Sequence, residues 1–250
     1  MKSYLILLAT TLSWGWAIAS PAVSAEKASE PAEYFEVIKV TPREKIDHRV
    51  RISDPFKENL FPVRLRGPLY FSQPISSPAS SEKPPRKPPA ILNWYTVQES
   101  ALESGRTLLL TDLLSARPYR VKLAEPRYLL SPAQKVTTGN PAAIPQGLNY
   151  FLAYRIEESD QPLDEFKNRV IGKSPRRKLL SPYLICLPVE ERHHFDRFPV
   201  KAKGVLLVVY KATPRSQEGN ISTLDQFGVN RLEMLSNDWI YIKGRMLSPE

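Results

Sequence analysis

The chain has little glycine, almost no cysteine and few histidines. Its 250 residues include 10 Gly, 1 Cys and 3 His. A single cysteine excludes an intramolecular disulfide framework and a cysteine-rich zinc site. The sequence contains no G-x-G-x-x-G, G-x-x-x-x-G-K or G-x-S-x-G pattern, which excludes the common phosphate-binding loops and the nucleophile elbow. The motifs therefore predict no catalytic residue, no cofactor and no metal.

Proline and positive charge are in excess. The chain has 24 Pro, and its 35 Lys and Arg residues against 26 Asp and Glu give a formal charge of +9. With 42% hydrophobic and 24% charged residues, the composition is that of a folded protein rather than a disordered one.

The first 25 residues have the pattern of a secretory signal peptide. Met1-Lys2 is a positive start, an uncharged apolar run follows from Tyr4 to Ala19, and Val23 and Ala25 are small residues before the predicted cleavage point. The pattern disfavours the alternative of an uncleaved anchor, and no later segment approaches the ~18 apolar residues of a membrane helix. We expect a secreted or periplasmic protein with no transmembrane segment after cleavage. The apolar neighbours of the lone Cys186 predict a buried thiol rather than one paired with a partner.

The chain repeats itself. Ser53-Asp54-Pro55-Phe56 aligns with Thr111-Asp112-Leu113-Leu114, and the alternating apolar positions and prolines that follow coincide without a gap. Weaker copies start near Phe151 and Val208, which predicts a period of roughly 57 residues. The predicted organisation is a signal peptide (1–25), an N-terminal linker (26–33), four repeats (34–75, 91–136, 148–192, 193–250), a Pro/Ser-rich linker (76–90) and a second linker (137–147).

Each copy has the pattern of short β-strands rich in β-branched and aromatic residues. We predict an all-β protein in which four degenerate repeats of antiparallel strands form sandwich or barrel units, with a four-bladed propeller as the alternative. The best helix candidate is short, Asp160 to Val170. Two sets of recurring residues have predicted structural roles: prolines at strand entrances or bends, and aspartates that accept backbone N–H groups of turns. These are Pro68, Pro126 and Pro182, and Asp54, Asp112 and Asp225.

Two stretches carry a resemblance to a known family. Thr223-Leu224-Asp225-Gln226-Phe227-Gly228 and Pro182-Tyr183-Leu184-Ile185-Cys186-Leu187-Pro188 resemble a repeated all-β domain of unknown function in secreted bacterial proteins. The resemblance implies a second cysteine in the opening strand that pairs with the one near the end. Here the corresponding positions hold Val37, Val97 and Ala153 or Tyr154, so Cys186 lacks that mate.

Charged and histidine clusters are the remaining candidate sites. His193-His194-Phe195-Asp196 is the only clustered set of metal-type ligands, but adjacent histidines on a strand point to opposite faces, so a solvated loop is favoured. Runs of basic residues in an exported protein can bind anionic polymers, although surface charge commonly serves only solubility. The candidate polyanion-binding residues are Lys83, Arg86, Lys87, Lys173, Arg176, Arg177 and Lys178.

The sequence therefore favours an exported, non-catalytic structural or interaction module. Its expected partner is an unknown protein or an anionic polysaccharide or other envelope polymer, and export disfavours nucleic acid. The alternative is a secreted hydrolase whose site is assembled between repeats from residues such as His193, His194 or Asp196.

Overall fold

A computed structural model describes residues 34–44, 46–75, 91–98, 105–137, 143–145, 147–161, 170–171 and 177–249. The predicted signal peptide, both flanking linkers (26–33 and 76–90) and residues 162–169 of the helix candidate lie outside these ranges. All regular secondary structure within them is β-strand, which confirms the all-β prediction. No helix in the described part of the chain is long and apolar enough to cross a membrane.

The described residues form twelve strands, and the first nine follow a recurring order of short, short and long. The long strands β3, β6 and β9 contain 18, 17 and 17 residues. The boundaries and the period of the four copies stay predictions. The strands are β1 (Tyr34–Pro42), β2 (Asp47–Asp54), β3 (Lys57–Pro74), β4 (Ile91–Gln98), β5 (Arg106–Asp112), β6 (Tyr119–Lys135), β7 (Tyr150–Ser159), β8 (Val170–Ile171), β9 (Arg177–His193), β10 (Asp196–Phe198), β11 (Val205–Asp225) and β12 (Gly228–Pro249).

Antiparallel pairing closes a ring of eight of these strands. Each strand pairs with the next in the order β1, β3, β4, β6, β7, β9, β11 and β12, and β12 pairs back with β1. Four further strands lie outside the ring and pair with its members: β2, β5, β8 and β10. The fold is therefore not a regular barrel. Because hydrogen bonds join each predicted copy to the next, the sheet does not divide into the separate blades of a propeller.

The inside of the ring holds an aromatic core. Seven strands of the ring contribute buried residues to one hydrophobic cluster that includes Trp94, Trp239 and Tyr241, and Tyr70 of the eighth, β3, packs against it. Tyr128 on β6 approaches Trp239 on β12 across the ring, with 6.0 Å between ring centroids. Cys186 lies in this cluster and is fully buried, which confirms its predicted burial, and desolvation raises the pKa of its thiol.

The recurring prolines lie at bends within long strands. The register of pairing shifts between Arg66 and Tyr70, around Pro126, and beside Pro182. A proline lacks the N–H that a regular ladder needs, so bulges accommodate it. The prediction of strand bends is confirmed, although the residues before and after each proline belong to one long strand. At these bends β3 and β6 exchange partners, so their first halves pair with β2 and β5 over a second, larger hydrophobic core.

Candidate functional site

The outer face of β2, the first half of β3, the end of β9 and β10 is rich in arginine. Val50 and Ile52 on β2 and Val63 and Leu65 on β3 point into the core. Side chains alternate between the faces of a strand, so the residues between these apolar positions point outward. We call the six arginines of this surface the arginine face: Arg49, Arg51, Arg64, Arg66, Arg192 and Arg197.

The register places these arginines next to one another across four strands. Arg49 lies directly opposite Arg64, Arg51 opposite Arg192, and Arg192 opposite Arg197. Like charges at directly opposed positions destabilise a sheet. The arrangement therefore costs stability in the absence of an anion.

Two carboxylates compensate part of this charge. Asp47 accepts hydrogen bonds from Arg64, at 2.8 Å from its Nε, and lies 4.0 Å from Arg66. Glu190 accepts from Arg197 at 2.9 and 2.8 Å and from Arg192 at 3.0 Å. The hydrogen bond from Arg64 lowers the pKa of Asp47, and that from Arg197 lowers the pKa of Glu190. Six arginines against two ionised carboxylates leave the described part of this face strongly positive.

The structure describes two of the basic residues that the sequence predicted to bind a polyanion, and one of the two is buried. Arg177 is 5% exposed and donates hydrogen bonds to the Thr213 carbonyl at 3.0 Å and to the Asn237 carbonyl at 2.6 Å. Its assignment to a polyanion site is therefore corrected: it ties β9 to β11 and β12. Lys178 is exposed. The other candidates, Lys83, Arg86, Lys87, Lys173 and Arg176, lie outside the described residues.

The arginine face contains no run of consecutive Lys or Arg residues, so the sequence did not single it out. The usable signal was alternation: Arg49-Val50-Arg51-Ile52 and Val63-Arg64-Leu65-Arg66 each place arginine on every second residue of a strand. That pattern predicts charge on one face of each strand. It does not indicate that β9 and β10 extend the same face.

The three histidines of the chain converge beside this face. The ring centroid of His193 is 4.1 Å from that of His194 and 5.6 Å from that of His48, and Phe227 contacts both His48 and His193. Sequence spacing did not indicate that His48 would join the pair. Within the described ranges, no three His, Cys, Asp or Glu side chains are placed so that they could hold a metal ion. Desolvation lowers the pKa of both His48 and His193, which favours neutral rings.

A group of buried polar side-chain atoms includes some on β9, the strand that carries His193, and some in the turn that carries Phe227. Glu191 and Ser131 are fully buried, and the carboxylate oxygens of Glu191, Ser131 Oγ and Gln226 Nε2 have no hydrogen-bond partner among the described residues. The Tyr150 hydroxyl donates to Gln226 Oε1 at 2.9 Å. Burial raises the pKa of Glu191 to about 8, so this carboxyl is mainly neutral at pH 7. Unsatisfied buried polar groups are costly, and functional sites are where such groups tend to be found.

The recurring aspartates accept turn N–H groups, as predicted. Asp112 Oδ1 accepts from the backbone N–H of Leu114 at 2.7 Å and of Ser115 at 2.9 Å. Asp225 Oδ1 accepts from the N–H of Phe227 at 2.9 Å, and its Oδ2 accepts from Tyr95 Oη at 2.6 Å. Both carboxylates are buried within hydrogen-bond networks. The side chain of Asp54 lies outside the described part of the structure.

The residue opposite Cys186 lies in β7, the strand in which the sequence resemblance implies a second cysteine. Ala153 on β7 is the register partner of Cys186 on β9, and both lie in the core of the ring. A cysteine at Ala153 would thus face Cys186 across the strand pair, whereas Tyr154 lies opposite Ile185.

These features define an all-β protein with a closed antiparallel ring and a positively charged outer face. The chain belongs to a family described as a repeat of unknown function, DUF7450, whose model matches residues 91–243, more than half of the chain. The match begins at β4 and ends within β12. It confirms membership of an unknown-function repeat family, as the resemblance implied. No curated protein and no solved structure matches the chain significantly.

Proposed function

We propose that this protein is an exported, non-catalytic module of the cell envelope or extracellular space that binds an anionic polymer through the arginine face. The observation that carries the proposal is the run of directly opposed arginines across β3, β2, β9 and β10. Bound phosphate, sulfate or carboxylate groups would relieve the repulsion between them. The signal-peptide pattern of residues 1–25 supports a location, secreted or periplasmic, where such polymers occur.

The dimensions of the face suit an extended ligand. Four adjacent strands span three strand spacings, or about 14 Å. Arginine donates paired hydrogen bonds to oxyanions, so successive anionic groups of a polymer can each meet a guanidinium. A protein partner with an acidic surface is the other ligand that this chemistry fits.

Retention on immobilised heparin, with elution by salt, tests the proposal. We expect retention to fall as ionic strength rises, because polyanion binding releases counterions. Arg49→Ser combined with Arg51→Ser should elute at clearly lower salt. A matched variant removes two exposed cations elsewhere, Arg127→Ser with Arg155→Ser, and should elute close to the parent protein. Equal shifts in the two variants would show that net charge alone sets retention and would contradict a specific site.

The basic residues of the predicted linker and of 173–176 belong to the same proposal. Lys83, Arg86, Lys87, Lys173 and Arg176 are candidates for additional contacts with the polymer. Replacing Lys83, Arg86 and Lys87 together by serine should lower the eluting salt further if the linker takes part. An unchanged elution would restrict the site to the arginine face.

A second candidate function, a secreted hydrolase, is favoured by the approach of His48 to His193 and by the buried Glu191, two residues before His193 on β9. A neutral imidazole and a carboxyl with a raised pKa are groups suited to general base and acid roles. The test is hydrolysis of a panel of chromogenic esters and glycosides by the parent protein and by His193→Asn. Activity that disappears in His193→Asn would support the hydrolase over the binding module.

A further inference from the structure

A phenylalanine stands fully exposed at the tip of the β9–β10 hairpin. Phe195 has a relative exposure of 105%, whereas the next most exposed large hydrophobic residue among those described, Val229, reaches 54%. Single partly exposed apolar residues are ordinary on protein surfaces. A complete aromatic ring in water is a larger cost, and it marks the tip as a contact point.

Cations surround the base of this tip. Arg192 and Arg197 lie directly opposite each other two residues below the turn, and Arg51 lies opposite Arg192 on the neighbouring strand. The acids of this strand pair are Glu190, which is bonded to both Arg192 and Arg197, and Asp196 in the hairpin itself. Glu191 also lies on β9, but its side chain is buried and does not face the surface. The exposed ring therefore projects from one end of the arginine face.

The hairpin holds the ring outward. His193 pairs with Asp196, and the turn residue His194 adopts a φ of 53°, a left-handed conformation that is uncommon for residues other than glycine. Below the turn, Phe198 packs on Tyr150 with 5.1 Å between ring centroids. The tip is thus presented by a packed strand pair.

We propose that this end of the molecule docks on an anionic lipid surface, with Phe195 inserted at the boundary between headgroups and acyl chains and the arginines on the headgroup phosphates. The inference rests on the proposed function, because it uses the same arginine face. A soluble polymer would satisfy the arginines only. An anionic bilayer offers both negative charge and an apolar layer within reach of an aromatic side chain.

Vesicle sedimentation tests the docking. The protein used is the full chain without the predicted signal peptide, residues 1–25. It is mixed with vesicles of phosphatidylcholine alone or of phosphatidylcholine with phosphatidylglycerol. We expect binding to the anionic vesicles only. Phe195→Ser should weaken it about tenfold, since burial of much of one aromatic side chain is lost. Val229→Ser, which removes an exposed apolar side chain at the start of β12, is the matched control and should bind as the parent does.

A second readout reports the position of the ring. Phe195→Trp should bind anionic vesicles and show a blue shift of tryptophan emission on binding, because an interfacial indole leaves water. Equal vesicle binding by Phe195→Ser and the parent protein, or a Phe195→Trp emission that does not change with bound vesicles, would overturn the inference.

The heparin assay separates this inference from the proposed function. Phe195→Ser should keep the heparin retention of the parent protein, because no arginine is changed. If the arginine variants retain full heparin binding, the proposed function fails. If they lose it while Phe195→Ser still binds vesicles normally, only the lipid docking fails, and the face binds soluble polyanions.

Discussion

Two regions built from the same strand arrangement differ in how they treat charge. The arginine face covers β2, the first half of β3, the end of β9 and β10, and its counterpart covers β5, the first half of β6 and the end of β7. On this second surface, which we call the ion-paired face, carboxylates meet the cations: Glu125 lies 2.5 Å from Arg127 and 3.5 Å from Arg155, and Glu157 lies 3.4 Å from Lys122. A short strand paired with the first half of a long strand thus accommodates balanced charge readily.

The buried carboxyl groups beneath the two faces also differ: the one beneath the ion-paired face is hydrogen-bonded, and the one beneath the arginine face is not. Under the ion-paired face, Asp112 accepts four hydrogen bonds, two from backbone N–H groups and two from the hydroxyls of Tyr119 and Tyr210. Under the arginine face, Glu191 is buried without a hydrogen-bond partner among the described residues. Repulsive arginines and unsatisfied polar groups are therefore not required by the strand arrangement. Departures from local stability rules of this kind are expected where a protein binds something.

The largest expected effect is on the free energy of unfolding, and it tests the hydrogen bonds that Asp112 accepts beneath the ion-paired face. Asp112→Ala removes the acceptor shared by Tyr119, Tyr210 and two turn N–H groups, and we expect the free energy of unfolding to fall by roughly 3–4 kcal/mol. Urea unfolding measures it. Asp196→Ala, an exposed aspartate of the β9–β10 hairpin, is the control and should change stability little. Similar losses of stability in both variants would mean that the hydrogen bonds of Asp112 stabilise the fold no more than an exposed aspartate does.

The second prediction concerns the unsatisfied interior. The pKa of Glu191 is raised from 4.5 to about 8 in the folded state, so the folded protein holds a proton that the unfolded chain releases between these values. Its contribution to stability is complete below about pH 4.5 and is lost as pH rises through 8, with a change of at least about 2 kcal/mol. Glu191→Gln should remove this decline and unfold at a higher temperature than the parent at pH 8.

Two comparisons isolate the Glu191 effect. His48 and His193, whose pKa values are lowered by desolvation, act in the opposite direction, because stability rises as the unfolded histidines lose their protons. They are unchanged in Glu191→Gln, so the difference between the two pH profiles belongs to Glu191. Thr107→Ser on β5 of the ion-paired face changes no ionisable group and should leave the profile as it was. A parental decline that persists in Glu191→Gln would contradict the assignment.

The third prediction tests whether the arginine face costs stability. Arg49→Thr removes one of two directly opposed cations and introduces a β-branched residue, so we expect a gain of about 0.5 kcal/mol in a buffer without polyvalent anions. The same variant should bind heparin less well than the parent, as expected when stability is sacrificed for function. Lys122→Thr, which removes an ion-paired cation from the other face, should show no gain. Arg49→Thr that loses stability would show that its neighbours do not repel it.

Local residue patterns predicted the features that depend on local chemistry. Alternating apolar positions gave the strands, a buried run gave the location of Cys186, and aspartates at strand ends were correctly expected to bind turn N–H groups. These outcomes require only a few neighbouring residues. Asp225, for example, reaches the N–H of Phe227 two positions later.

The candidate site could not be predicted because it is assembled from distant segments. Arg51 and Arg192 become neighbours only when β2 pairs with β9, and His48 meets His193 through the same pairing. The closure of the ring by β1 and β12 is equally non-local. Arg177 was misread for a related reason: it belongs to a basic run that is typical of a solvated surface, yet its hydrogen-bond acceptors, Thr213 and Asn237, lie on strands far along the chain.

The smallest expected effect comes from making the ion-paired face resemble the arginine face. The Glu125 pairs are solvent-exposed, with side chains 42–50% accessible, so Glu125→Gln should cost at most about 0.5 kcal/mol. The variant leaves Arg127 and Arg155 without their shared carboxylate, and we expect a slightly higher salt concentration for elution from heparin. The increase should stay well below the decrease caused by Arg49→Ser with Arg51→Ser, because Arg127 and Arg155 are not part of a run of opposed arginines. If the two shifts were equal in size, unneutralised charge anywhere on the sheet would suffice, and the alignment of arginines across β3, β2, β9 and β10 would lose its meaning as a site.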